Sequence, residues 1–149
     1  MKRILYIFIL SLFIGFLLPW SINAQDDQLV VIGNAVSVPS EIDMNQLRSV
    51  FKGEKLRWND GSIVSIALMK TNTPIGSNTC TKIYNMTGNE LNKYFLALVF
   101  QGKVKAPTFF NSVNELEAYV AQTPGAIGVL QKANDTLLKI IVVDGKKQI

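Results

Sequence analysis

The chain has 149 residues, 48% of them hydrophobic, a formal net charge of +4, one cysteine and no histidine. Without histidine the commonest general base and the commonest metal ligand are both missing, and a lone Cys80 excludes an internal disulfide and any cysteine-rich metal site. Lys2 and Arg3 belong to an N-terminal processing segment, and without them the charge falls from +4 to +2, so nucleic-acid binding has little support.

Met1 to Ala24 reads as an export signal. Lys2 and Arg3 make a basic start, Ile4 to Leu18 a nearly unbroken apolar core, and Pro19 to Ala24 a polar end with cleavage expected after Ala24. The alternative, an uncleaved anchor, would be the protein's one contact with the membrane; the apolar run is shorter than the roughly 20 residues of a spanning helix. The expected product is periplasmic and begins at Gln25, and residues 25–149 suffice for one domain with its own core.

The run Leu29 to Ile32 is β-branched and apolar and reads as the first strand, with Val36 and Val38 as a continuation. Asp43 with Gln46 three residues later resembles a capping box, and Leu47, Val50 and Phe51 form one apolar face that stops at Gly53. Lys52, Lys55 and Arg57 then crowd a loop ending in the turn Trp58-Asn59-Asp60-Gly61. Such a basic loop is either a solvated face or a docking patch for an acidic partner. Trp58 is expected in the core.

Ile63 to Met69, broken only by Ser65, has the pattern of a strand buried on both faces and is expected at the centre of the sheet. Lys70 ends the run. Thr71 to Gly76 is turn-rich, and Ser77-Asn78-Thr79 stands where a helix is expected to begin, with Ser77 as its cap and Cys80, Ile83 and Tyr84 at helical spacing. A helix mouth just beyond a strand end, with two hydroxyls and a lysine nearby, suits an anion; the plain alternative is that Ser77 only caps the helix. Cys80 is expected to be a buried apolar thiol rather than a nucleophile.

Asn89 is expected to cap a helix whose apolar residues Leu91, Tyr94, Phe95, Leu98 and Val99 recur at helical spacing until Gly102. Lys103 to Pro107 is read as a connection, and Ser112 with Glu115 opens a third helix carrying Val113, Leu116, Tyr119 and Val120. Ala126 to Leu130 is a small strand in which Gly128 permits close approach of another backbone. Asn134-Asp135 marks a turn before a last strand, Leu138 to Val143. Strands separated by helices argue for α/β, with helices Asn89 to Gln101 and Val113 to Gln122 covering the sheet.

Leu47 to Gly53, then Trp58-Asn59-Asp60-Gly61, then Leu98 to Lys103 and Pro124 to Gly128, form an ordered set that resembles the second lobe of the phosphate-binding proteins of phosphate ABC transporters. The resemblance runs from about Leu29 to Leu130. It implies an α/β fold, a single lobe of a type II periplasmic-binding-protein-like fold with a mixed sheet flanked by helices. It also implies a ligand set for phosphate or a similar oxyanion at Lys70, Ser77, Asn78 and Thr79. In that family an arginine follows the strand and a Ser-Gly-Thr opens the helix; here Lys70 and Ser77-Asn78-Thr79 take those places. Lysine lacks the bidentate fork of arginine and Asn78 adds a side chain where glycine allows close approach, so weak binding is expected.

The family closes two lobes on its ligand, whereas residues 25–149 have length for one. Two uses follow: a binding module for an oxyanion, with no cofactor, or an interaction module whose exposed face takes an envelope protein or a second copy. Enzymatic activity is not expected, since no activated-nucleophile motif or carboxylate pair stands out.

Overall fold

Leu29 and Val31 pack on one side of the first strand while Val30 and Ile32 pack on the other, and the same alternation runs through every central strand. The computed structural model describes residues 27–133 and 138–149. The expected export signal Met1 to Ala24, the new terminus at Gln25 and the turn Asn134-Asp135 therefore lie outside the described residues.

A mixed sheet joins β1 (Val30–Gly33), β2 (Glu41–Ile42), β3 (Ser65–Met69), β4 (Thr108–Phe110), β5 (Ala126–Leu130) and β6 (Lys139–Val143), in the order β2-β6-β1-β5-β3-β4. β1 is antiparallel to both β5 and β6, whereas β3 runs parallel to β4 and β5, and β2 parallel to β6. The middle of the sheet is β1 and β5. The strand expected at the centre, β3, lies one place from an edge, because Thr108–Phe110 adds the outer strand β4 that the sequence pattern left in a connection.

β3 also begins later than Ile63. Arg57 and Ile63 form an isolated antiparallel bridge and the Val64 amide donates to the Leu56 carbonyl at 2.9 Å, so residues 56–64 fold back on themselves before the chain joins the sheet. Val36 and Val38 do not prolong β1: the Asn34 Oδ1 accepts from the Val36 amide at 3.1 Å, which turns the chain.

Helix α1 (Met44–Phe51), α2 (Pro74–Thr79), the π-helical turn Cys80–Tyr84 that continues α2, α3 (Gly88–Phe100) and α4 (Val113–Gln122) flank the sheet. One core holds Ile66 and Leu68 of β3 with Leu47, Phe51, Tyr84 and Phe95 of α1, the π turn and α3. The other holds Ala67 and Met69 with Leu116 and Val120 of α4. The sheet is thus covered on both faces, as the helix pattern predicted, which is why β3 reads as a continuous apolar run.

Close contacts depend on two glycines. Gly128 of β5 faces Ala67, and a Cβ there would come within 2.9 Å of Leu116 Cδ2 and 3.1 Å of the Ala67 carbonyl. Gly125, with φ of +79°, lies so close to the Ile63 carbonyl that a side chain would collide with it. The Gly125 carbonyl in turn accepts from Trp58 Nε1 at 2.9 Å, which anchors the buried Trp58 in the core as expected.

Candidate functional site

The segment from Lys70 to Thr79 leads from the C-terminal end of β3 into α2. Its turn is built on the Lys70 carbonyl, which accepts from the Thr73 amide at 2.9 Å and from Thr73 Oγ1 at 2.7 Å. Thr73 is the N-cap: its Oγ1 accepts from the Gly76 amide at 3.0 Å, and Pro74 takes the first helical position, where its missing N–H costs nothing. Gly76 packs directly against the Lys70 carbonyl, so any side chain there would strike the strand end.

The helix therefore opens one turn before Ser77, and Ser77 is not its cap. The Ser77 amide already donates to the Thr73 carbonyl at 2.8 Å. The residues at the mouth are Thr73 to Gly76, and the signal for them is the Thr-Pro pair, a capping hydroxyl followed by proline. With Pro74 lacking an N–H and the amides of Gly76 and Ser77 engaged, the Ile75 amide is the first-turn donor with no helical acceptor.

The expected ligand residues differ in exposure and in partners. Lys70 is exposed at the strand end, and Ser77 is exposed one turn into α2. The half-buried Asn78 donates through Nδ2 to Asp27 Oδ1 at 3.3 Å. Thr79 is buried, with its Oγ1 donating to the Ile75 carbonyl at 2.8 Å, so it ties down the helix from beneath. The arrangement offers an anion one ammonium, one first-turn amide without a helical acceptor and the positive end of the continued helix.

Cys80 is buried, and desolvation raises its pKa from the ordinary 9.0, which opposes the thiolate a nucleophile needs. It packs in the same core as Ile83 and Tyr84, as its spacing predicted. Among the described residues no cluster of carboxylates and Cys80 has the makings of a metal site, and no helix is long and apolar enough to cross a membrane.

No protein-family model matches the chain, and no curated protein matches its sequence. Solved structures do match its fold. A phosphate ABC-type transport receptor from Vibrio cholerae aligns with a TM-score of 0.64 at 12% identity, over 85% of this chain and 53% of the receptor. A phosphate ABC transporter substrate-binding protein from Clostridium perfringens, solved with bound phosphate, aligns with a TM-score of 0.62 at 11% identity, over 79% of this chain and 45% of that one. PstS from Borrelia burgdorferi gives 0.60 at 16% identity, over 79% and 47% respectively. The chain spans about half the length of these proteins, and its mixed α/β architecture is that of one lobe of a periplasmic binding protein.

Proposed function

We propose that the chain is an exported oxyanion-binding lobe that holds phosphate or a similar anion weakly at the opening of α2. In this reading Lys70 supplies the charge, Ser77 and Asn78 approach the anion from the exposed side of α2, and Thr79 holds the helix rather than the ligand. The observation that supports it is the likeness to two phosphate transport proteins and to PstS over most of this chain, together with a lysine three residues before the cap of a helix. Binding from one side leaves the anion partly in water, so most of the gain from charge-assisted hydrogen bonds is lost to solvent competition. The Asp27 carboxylate beside Asn78 lowers affinity further.

Calorimetric titration with phosphate, sulfate and arsenate at low and moderate salt tests the reading. Lys70→Ala is expected to weaken binding and flatten its salt dependence, and Ser77→Ala to weaken binding without loss of a cap. Absence of binding at millimolar anion would overturn it. Export is tested by the intact mass of the secreted protein: a chain starting at Gln25 supports it, and a membrane-held chain starting at Met1 contradicts it.

A second reading, an interaction lobe for an envelope protein or a second copy, has a specific feature in its favour. Leu96, Val99 and Phe100 on α3 are 58%, 40% and 84% exposed. Sedimentation of the wild type and of Phe100→Glu decides whether that face self-associates.

A further inference from the structure

The N-terminal end of β3, opposite Lys70, opens into a groove of about 300 Å³ between the loop after α1 and the loop after α3. Its floor is aliphatic throughout: Val50, Leu56, Ile63, Val64, Ile66 and Val104. Leu56 and Ile63 are 49% and 45% exposed although both flank a packed core. Four cations, Lys55, Arg57, Lys103 and Lys105, stand around this floor, and the lining contains neither a carboxylate nor an aromatic ring.

The walls are held in place. Gly53, with φ of +76°, receives Val104, and a Cβ at Gly53 would meet Val104 Cγ1 at 2.6 Å, so the two loops are keyed together. Arg57 Nη1 donates to the Gly61 carbonyl at 2.8 Å, and Lys55 Nζ lies 5.7 Å from the centre of the Trp58 ring. Both partners are neutral, and no carboxylate lines the groove.

We propose that this groove binds a short aliphatic amphiphile with an anionic head, of the medium-chain carboxylate class. The chain lies on Leu56, Ile63 and Val104, and the head sits among the surrounding lysines and Arg57. Charge complementarity selects the head, since a neutral ligand would cover the cations without compensating them. The floor selects the chain: a bare inorganic anion gains nothing from six aliphatic side chains, and flat aromatic ligands find no ring to stack on. A volume of about 300 Å³ is at the lower end of ligand sites, which favours a short chain over a full lipid.

The test is titration of the folded chain with sodium octanoate, followed by amide shifts in nitrogen-15 NMR, beside octyl glucoside, octylammonium, acetate and inorganic phosphate. Octanoate is expected to give saturable shifts at Leu56, Ile63, Val64 and Val104 at low millimolar concentration, with the other probes far weaker there. Lys103→Glu with Lys105→Glu, on an exposed loop, is expected to weaken octanoate roughly tenfold while the melting temperature holds. Equal binding of octyl glucoside or octylammonium, octanoate shifts confined to another surface, or no shift in the wild type would each overturn the assignment. Inorganic phosphate reports on Lys70 to Ser77, so failure at one end of β3 is distinguishable from failure at the other.

Discussion

Tyr84 sits 2% exposed between the edges of Phe51 and Phe95, at ring-centre distances of 6.1 and 5.9 Å, and its hydroxyl has no hydrogen-bond partner among the described residues. An unpaired buried hydroxyl is destabilising, so Tyr84→Phe is expected to raise stability by about 1 kcal/mol in urea unfolding. A loss of that size would reveal a bound water or partner at the ring tip. The same burial pushes the Tyr84 pKa well above 10.0, and desolvation also raises Cys80 and Tyr94. Groups whose folded pKa is raised contribute fully below their unfolded values and lose that contribution as pH climbs toward the folded ones. The unfolding midpoint should therefore fall as pH rises from about 9, and Tyr84→Phe should shrink that fall. Asn34 makes the opposite case, a buried amide fully used: Nδ2 donates to the carbonyls of Val120 and Ala121, both at 3.0 Å, closing the end of α4. Asn34→Ala should cost about 1–3 kcal/mol by stranding both acceptors, read by the same unfolding series.

At the scale of elements, legibility followed length and capping chemistry. The stripes of α1, α3 and α4 and the apolar runs of β1, β5 and β6 are long enough for periodicity to declare them, and Asp43 and Ser112 cap where their spacing says, accepting from Gln46 and Glu115 amides. β2 and β4 are too short for any period to register, and only pairing with β6 and β3 makes them strands. Two helix starts were displaced by a better cap upstream. Thr87 rather than Asn89 opens α3, because its hydroxyl accepts from the Glu90 amide while Glu90 answers with a 2.7 Å bond from the Thr87 amide. Thr73-Pro74 displaces Ser77 in the same way. Thr87→Ala should cost about 1 kcal/mol, while Gly76→Ala should cost more, about 2–3 kcal/mol, since its Cβ would strike the Lys70 carbonyl. Thermal unfolding of the two variants side by side checks the ranking.

For the whole molecule, β3 organises both faces of the sheet and both candidate sites, one beyond each of its ends. Lys70 at the C-terminal end was legible because a charge after an apolar run marks where a strand leaves the core. The spread of the expected ligand residues was not, because the Thr73-Pro74 cap puts Ser77 to Thr79 inside the helix, where successive side chains lie about 100° apart, and Thr79 ends up beneath α2. The groove at the other end was visible only as a basic loop; its aliphatic floor joins Val104 to residues between Val50 and Ile66, a meeting that no local pattern declares. Two substitutions separate these roles. Leu68 is 2% exposed in the middle of β3, and Leu68→Asp buries an unpaired carboxylate at a cost of several kcal/mol, comparable with the ~5–15 kcal/mol that holds a small domain folded. That variant should be unfolded by circular dichroism. Ile63 lies before the strand and is 45% exposed, so Ile63→Asp leaves its carboxylate in water and should fold, melting within a few degrees of wild type. It places an anion on the aliphatic floor, so octanoate shifts should vanish while phosphate shifts near Lys70 remain. If Ile63→Asp unfolded like Leu68→Asp, the sheet would reach further back than Ser65 and the groove would be part of the core.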